Sequence, residues 1–450
     1  MKKINLLIIE YGNKNDLDPL RKYIKKDMKL NLIEFDQIMK VKYDYKKRFL
    51  RYWMQLKRVD LRKVGEYFEW ILNSFVRKNY VYNYDSVRKL NVMSLTFKQF
   101  KNIVKTHNLD GILIHREDAF LNNVMLYCRR IGLKIIILAH EHVFLHNPLA
   151  DKLVKSRYFL GDLKLVGGEN AKKYWLKSRG AKSNMVKITG VPRMDHYEKN
   201  HFLTKDELCN QLSIDSNKKI IFFPSSINRF NYYKYNMTKE TFNKEYKPED
   251  LDFSMPREVA GIFDMVKFKN DVFDVLYNIA KENKDIIIIT KFHPDQQLIK
   301  EHCVEKEFLA MSREMENFIG IGGSPVGFNI KDLISNADII VGNNSTTLLE
   351  SILMDKSIVV ANWGVTKKLQ GIPIIEWGCA VEAKNKLELK KILLNLIKKV
   401  EDLKQYDVGR KKIIKYYFDQ MDGMATKRVV NEIEKYFIGL SVKSNDKIKE

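Results

Sequence analysis

Short apolar runs alternate with longer stretches of helical period along most of this chain. The runs are continuous rather than alternating, which is typical of strands buried on both faces in parallel sheets with helices above and below. Strands that alternate with helices predict an α/β fold, and two such series predict two doubly wound domains. The predicted strands are 4–9, 30–33, 111–114, 134–138, 163–166, 186–188, 219–223, 285–290, 337–341 and 357–361.

The domain boundary is predicted at 191–216, where a strand ends and polar sequence follows. We therefore expect an N-terminal domain over 1–195 and a second domain over 196–410. Residues 411–450 are predicted to form C-terminal helices that cross back to the first domain, with a polar tail. A length of 450 residues suits this division, since domains usually hold ~100–200 residues. Residues 228–260 have the composition of a long insertion.

The charge balance is strongly basic, with 79 Lys and Arg against 56 Asp and Glu and a formal net charge of +23. This indicates an anionic partner such as nucleic acid, an acidic membrane or a phosphorylated substrate, unless it reflects a biased coding composition. A hydrophobic content of 45% excludes a largely disordered chain. The four cysteines form no CxxC pair, which disfavours a disulfide framework and a Cys-rich zinc site.

Residues 42–63 carry nine basic and two acidic side chains among aromatic residues. Such a stretch either lies on an anionic membrane surface or packs into the core with a solvated basic face. No apolar run approaches ~18 residues, so no transmembrane helix is expected. The first apolar run is cut short by Glu10 and predicts a strand rather than a signal peptide. We expect a cytoplasmic protein, peripheral on the inner face of the membrane.

The candidate chemistry lies after three strands of the second half, because ligands of doubly wound sheets bind beyond the carboxyl ends of strands. The first loop, Pro224-Ser225-Ser226, offers hydroxyls and amides to a phosphate. In the second, Pro294 restrains His293, whose imidazole could donate to a phosphate or act as a general acid, and Lys291 adds positive charge.

The third loop, 342–350, has a tight turn of small residues followed by a helix that Ser345 or Thr346 would cap. Helix N-termini bind anions, and Glu350 could reach sugar hydroxyls. Taken singly, each loop also suits an ordinary turn, a structural histidine or a helix cap. The glycine-rich stretch 320–327 is a weaker candidate for a base pocket. The predicted nucleotide-binding residues are Ser225, Ser226, Lys291, His293, Pro294, Asn344, Ser345, Thr346, Thr347 and Glu350.

A general base is sought in the first half, where His140-Glu141-His142 ends a strand. Glu141 is the first candidate, and His293 is its catalytic counterpart in the second half. The cluster lacks HExxH spacing, which disfavours a zinc site. Rival candidates for the base are Asp110, His115, Arg116, Glu117 and Asp118.

Four segments resemble bacterial surface-polysaccharide glycosyltransferases of GT-B fold that have an HP motif and a Ser-rich motif. They are 166–171, 189–195, 291–294 and 342–350, the last followed by Lys356-Ser357-Ile358-Val359. The group includes capsule Kdo transferases, polysialyltransferases and teichoic-acid glycerophosphotransferases. The resemblance spans roughly residues 133–365.

The resemblance implies two Rossmann-like domains facing a cleft, with the donor on the C-terminal domain. It also implies that no metal and no other cofactor takes part in the chemistry. His293 would contact the donor phosphate, Ser345 and Thr346 would replace the phosphate-binding serines, and Glu350 would bind ribose. Asn343 and Asn344 occupy positions where the teichoic-acid type usually has an Asp. Polysialyltransferases have an acid-acid-Gly motif, whereas Leu109-Asp110-Gly111 contains only one acidic residue. These differences leave the nucleotide and the base open.

Three functions are compatible with the sequence. The main prediction is a metal-independent glycosyltransferase that moves a sugar from a CMP- or UDP-sugar to a cell-surface glycan or lipid-linked acceptor. A UDP-sugar 2-epimerase of the same fold is the first alternative, although Ser345-Thr346-Thr347 departs from its usual Ser-Gly-Gly turn. A basic nucleic-acid-binding protein is the second, but no recognised binding motif supports it, and no nucleic-acid partner is expected.

Overall fold

The computed structural model describes most of the chain and divides it into two compact units. Unit 1 comprises residues 1–144, 151–198 and 417–450, and unit 2 comprises 145–150 and 199–416. The described residues are 3–9, 17–24, 28–38, 95–115, 121–139, 155, 158–198, 202–225, 260–292, 314–321, 328–343, 345–364, 371–398 and 403–446.

Unit 1 is built on a parallel six-stranded sheet in the order β2-β1-β3-β4-β5-β6. Its strands are β1 (Ile4–Ile9), β2 (Leu30–Glu34), β3 (Gly111–Ile114), β4 (Lys134–Leu138), β5 (Leu163–Val166) and β6 (Val186–Ile188). Its helices are α1 (Asp18–Tyr23), α2 (Phe35–Ile38), α3 (Phe97–Thr106), α4 (Asn122–Ile131), α5 (Glu169–Trp175), α6 (Asp195–Glu198) and, from the end of the chain, α13 (Ala425–Asp446).

The C-terminal helix α13 belongs to the core of unit 1. Val429, Val430 and Ile433 are buried against β1, β3, β4 and β5. The buried carboxylate of Asp195 accepts hydrogen bonds from the first two amides of α13, those of Ala425 at 2.9 Å and Thr426 at 2.8 Å. The motif 189–195 therefore anchors the N-terminus of α13 to unit 1.

Unit 2 is built on a second parallel six-stranded sheet in the order β12-β11-β10-β7-β8-β9. Its strands are β7 (Lys219–Ser225), β8 (Ile286–Phe292), β9 (Phe318–Ile321), β10 (Ile339–Gly342), β11 (Ser357–Ala361) and β12 (Val381–Ala383). Its helices are α7 (Lys205–Leu212), α8 (Ala260–Glu282), α9 (Ile330–Asn336), α10 (Thr346–Leu353), α11 (Lys386–Lys398) and α12 (Asp407–Tyr417). The two parallel sheets, each flanked by helices, confirm the predicted α/β fold.

The two faces of the second sheet are covered by different helices. Successive side chains of a strand point to opposite faces. One set, which includes Ile288, Val341 and Val359, packs under α8 and α11 in one continuous core. The alternate positions face the other side, where α10 contacts β10, β11 and α9. This second face carries the candidate site.

One expectation from the sequence needs correction. Pro224 and Ser225 were expected in a loop, but both lie within β7 and pair with Lys291 and Phe292. Of the glycine-rich stretch 320–327, Gly320 lies within β9 and residues 322–327 lie outside the described residues, so its role in a base pocket stays a prediction. Strands β9 and β12 were not predicted at all. Within the described ranges, no helix is long and apolar enough to cross a bilayer.

Candidate functional site

The site lies where the order of strands in the second sheet reverses. In chain order, β7, β8 and β9 extend the sheet towards one edge, and β10 then pairs with β7 on its other side. In open α/β sheets this switch point is where ligands bind. The β7–β10 pairing ends at Phe222 and Ile340, whereas the β7–β8 pairing continues to Ser225 and Phe292. Strands β7 and β10 therefore part at their carboxyl ends and leave a crevice.

The N-terminus of α10 stands beside this crevice. Ser345 is its N-cap, with Oγ accepting from the Thr347 amide at 3.2 Å and the carbonyl accepting from the Leu348 amide at 3.0 Å. The Ser345 amide donates to the Asn343 carbonyl at 2.8 Å. Thr346 holds the first amide of the helix, which has no intrahelical acceptor. This amide and the helix dipole favour an anion here.

Gly342 sets how closely α10 approaches the sheet. A Cβ at this position would lie 2.7 Å from Cδ2 of Leu348, which is fully buried. Only a hydrogen atom fits between the strand and the helix. The absence of a side chain at Gly342 thus seats the first turn of α10 directly on the end of β10.

Lys291 brings a buried cation to the same edge. It lies on β8, in register with Pro224 of β7 and Ile321 of β9, and its exposed fraction is only 8%. Strand alternation places it on the α10 face, because Ile286 and Ile288 point into the opposite core. Burial lowers the pKa of Lys291. A cation kept in such a position suits an anionic ligand.

The other described candidates divide between the two faces of α10. Thr346 is exposed and Glu350 is half-buried, and their spacing of one turn places them on the same side of the helix. Thr347 is buried, and its carbonyl accepts a hydrogen bond from the Ser351 hydroxyl at 2.8 Å. Thr346 and Glu350 are therefore better placed for a ligand than the Thr347 side chain.

Several predicted site residues lie outside the described residues, and their roles stay predictions. They are Ser226, His293, Pro294, Asn344, His140, Glu141, His142, Arg116, Glu117 and Asp118, together with the basic stretch 42–63 and the segment 228–259. For Ser225 only the backbone is described.

Of the rival candidates for the base, two are described. His115 is buried directly after β3, at the carboxyl edge of its sheet. Asp110 precedes β3 and accepts a hydrogen bond from the Asn5 amide at 2.9 Å. It therefore lies at the amino edge, the wrong end of the strand for the predicted role.

Asn362, which was not predicted from the sequence, directly follows β11 at the same carboxyl edge. Its side-chain amide donates to the Glu382 carboxylate of β12, and its backbone amide donates to the Ala383 carbonyl at 2.8 Å. The rule that identified the other three loops, a polar residue directly after an apolar strand, would also have identified Asn362. Within the described ranges no group of three His, Cys, Asp or Glu side chains could hold a metal ion.

Comparison with solved structures shows the fold. The chain resembles S. aureus MnaA in complex with UDP, with a TM-score of 0.54, 17% identity and 97% of each chain covered. It also resembles UDP-GlcNAc 2-epimerase from Neisseria meningitidis bound to UDP-GlcNAc, with a TM-score of 0.52, 13% identity and coverage of 97% of this chain and 100% of that one. The epimerase from Methanocaldococcus jannaschii is similar, with a TM-score of 0.52, 13% identity and coverage of 96% and 99%. At such identities only the architecture is shared.

Comparison of the sequence with protein families is more specific. No individual curated protein matches the chain. The profile of the family described as CDP-glycerol:poly(glycerophosphate) glycerophosphotransferase matches residues 151–435. This range is more than half of the chain and includes all of β7–β12 and α10. The chain therefore belongs to this glycerophosphotransferase family, and the predicted kinship with enzymes of surface-polysaccharide synthesis is confirmed at that level.

Proposed function

We propose that the protein transfers glycerol phosphate, or a similar polyol phosphate, from a CDP-activated donor to a polymer of the cell envelope. One observation carries the proposal. Inside the range matched by the family, the buried Lys291 and the N-terminus of α10 flank the switch point of a sheet with nucleotide-binding strand order. A diphosphate is the ligand chemistry that such a pair of positive groups suits.

The reaction would be a phosphoryl transfer. A hydroxyl oxygen of the acceptor forms a bond to the phosphorus that bears glycerol, and the bond from that phosphorus to the oxygen of the cytidylate breaks. CMP leaves with the electron pair, and the acceptor proton passes to a base, for which Glu141 is the proposed residue. Lys291, the Thr346 amide and His293 would stabilise the charge on the two phosphates.

A nucleotide-sugar glycosyltransferase, the main prediction from the sequence, is the second candidate. Solved structures of the same fold contain UDP or UDP-GlcNAc, but the likeness extends only to architecture. Glycosyl transfer would use the same crevice with attack at the anomeric carbon. An epimerase would differ by converting its donor with no acceptor present.

The acceptor would be a polymer or glycan chain, either free or linked to lipid. Contact of residues 42–63 with an anionic membrane on its cytoplasmic side would bring the enzyme to such an acceptor.

The test is CMP release from CDP-glycerol by the purified full chain, with and without a poly(glycerophosphate) oligomer. We expect release that depends on the oligomer and persists in EDTA. UDP-GlcNAc and a CMP-sugar serve as competing donors in parallel reactions. Acceptor-dependent turnover of one of these with none of CDP-glycerol would move the second candidate into first place. Donor conversion without acceptor would indicate an epimerase, and salt-sensitive binding of arbitrary DNA without any turnover would indicate a nucleic-acid-binding protein.

A further inference from the structure

The side chain of Asn362 has a buried hydrogen-bond acceptor, Oδ1, directly after β11. Asn362 is only 5% exposed, and Oδ1 has no hydrogen-bond partner in the described part of the chain. The other end of its amide is occupied, since Nδ2 donates to the Glu382 carboxylate. Buried polar atoms are nearly always hydrogen-bonded. Oδ1 is therefore an acceptor held in place for a donor that the described part of the chain does not supply.

Strand alternation places this acceptor on the face of the candidate site. Val359, Ala361 and Trp363 pack into the core under α8 and α11. The residues between them point the other way, so Asn362 lies on the side that carries α10. Glu382 pairs with Val360 in the β11–β12 register and shares that side.

Asn362 is also close enough to the phosphate-binding position to contact the same ligand. Strands β10 and β11 are adjacent, and neighbouring strands lie about 4.8 Å apart. The first turn of α10 is seated on the end of β10 at Gly342. A glycerol phosphate whose phosphorus lies at α10 extends its outer hydroxyls over about one strand spacing, which is the step from β10 to β11.

We propose that Oδ1 of Asn362 accepts a hydrogen bond from a hydroxyl of the group being transferred, and that Glu382 fixes the orientation of the amide. The proposal rests on the proposed function, and it assigns to β11 the recognition of a polyol at the far side of the phosphates from the nucleotide. A donor that carries an alkyl group in this place would leave Oδ1 without its partner, and such a site discriminates against it.

The test compares three ligands by calorimetry on the full chain: CDP, CDP-glycerol, and the CDP ester of 1-propanol, which lacks both glycerol hydroxyls. The wild type should bind CDP-glycerol about tenfold more tightly than the propyl ester. Asn362→Leu should bind these two esters equally, with its affinity for CDP unchanged. The tenfold preference for CDP-glycerol should therefore require both the Asn362 amide and the glycerol hydroxyls, as in a double-mutant cycle.

Thr290→Val is the matched control. Thr290 is fully buried within β8, two residues before its end, and its Oγ1 also has no partner among the described residues. Alternation with Ile288 places it on the opposite, α8 face of the sheet. This variant should keep the tenfold preference for CDP-glycerol.

The outcomes separate this inference from the proposed function. If Asn362→Leu keeps the preference, or if Thr290→Val loses it equally, the role of Asn362 is wrong while CDP binding still stands. The same holds if the wild type binds both esters equally. If the wild type binds no CDP compound at all, the proposed function fails first. Unfolding of Asn362→Leu would be recognised by lost CDP affinity. In that case Asn362→Ser replaces it, and this variant should retain part of the preference because it keeps a small polar acceptor.

Discussion

Lys291 is a buried cation at the carboxyl edge of the second sheet. Its neighbours on the strand, Ile287 and Ile289, are buried and apolar, and a lysine among them loses hydration that its charge would keep in water. Burial accordingly lowers the pKa of Lys291 below its ordinary value of 10.5. The charged side chain thus costs folding free energy, and an anionic ligand that binds only the folded state offsets this cost.

The first prediction is that Lys291→Met raises stability while it lowers activity. Loss of a charge-assisted contact to phosphate should lower kcat/KM for the donor by about 10- to 100-fold. Thermal unfolding without ligand should shift to higher temperature. Between the lowered pKa of Lys291 and 10.5, the unfolded wild-type chain binds more protons than the folded one. The stability of the wild type therefore rises with pH in that window, and Lys291→Met should lose this rise.

Lys356 provides the control. Burial lowers its pKa too, although Asp338 opposes the shift, and its Nζ donates to the Ser335 carbonyl at the amino edge of the sheet. Lys356→Met should leave donor kinetics unchanged. Equal loss of kcat/KM in both variants, or a Lys291→Met protein that is less stable and fully active, would contradict the role given to Lys291.

Residue identity alone did not tell the two edges of a sheet apart. Asp110, Asp162 and Asp338 each precede a strand and accept from an amide of the neighbouring strand, at 2.9, 2.8 and 2.8 Å. These carboxylates anchor the amino end of one strand to the next, whereas the candidate site occupies a carboxyl edge. The sequence shows an acidic residue next to a strand in each case. Only the strand direction distinguishes such a structural acceptor from a candidate general base.

At the scale of elements, α10 connects local sequence to the site. Ser345 was one of two N-caps expected from its residue type, and the structure selects it. Gly342 was only part of a small-residue turn in the sequence. Its contact with Leu348 shows a more specific reason, since the strand and helix meet without room for a side chain.

The second prediction is that Gly342→Ala weakens nucleotide binding through the position of α10. The new methyl group must displace the buried Leu348, at a cost of about 1–3 kcal/mol in the free energy of unfolding. The first turn would move away from β10, so CDP affinity should fall by about tenfold. Denaturant titration and calorimetry measure the two effects.

Gly439→Ala is the matched control, because Gly439 lies within α13 and a Cβ there meets nothing within 4 Å. This change should stabilise the helix by about 0.5–1 kcal/mol without altering CDP affinity. A Gly342→Ala protein with unchanged CDP affinity would show that the approach of α10 to the strand does not set the phosphate site.

The strands that the apolar pattern predicted are the ones with continuous Ile, Leu and Val. Strand β9 was missed because Gly320 interrupts its short apolar run, and β12 because Glu382 leaves it too short and polar. The apolar pattern also could not predict that β7 and β10 are adjacent, since hydrophobic runs indicate which segments are buried and not which strands pair. Yet this adjacency makes the switch point, and it brings three separately predicted loops to one edge.

At the scale of the whole molecule, the chain does not complete its units one after the other. Unit 1 begins the chain, unit 2 follows, and residues 417–450 return to unit 1. Helix α13 supplies Val429, Val430, Ile433 and Phe437 to the core of unit 1. Among the residues whose burial is described, the core of unit 2 under α8 and α11 contains none from that helix.

The third prediction is that ending the chain after Tyr416 unfolds unit 1 and leaves unit 2 folded. The deletion removes four buried side chains of α13, each worth ~1.5–3 kcal/mol. That loss is on the order of 10 kcal/mol, as large as the whole stability of a typical domain. It also uncovers the apolar face of β1, β3 and β4. Hydrogen exchange should therefore be fast in these strands and remain slow in β7, β8 and β10. Because CDP would bind unit 2 alone, it should still slow exchange at the N-terminus of α10 in the shortened chain. Slow exchange in β1 and β3 would show that unit 1 is stable without its last helix, and α13 would then be an addition to a complete core.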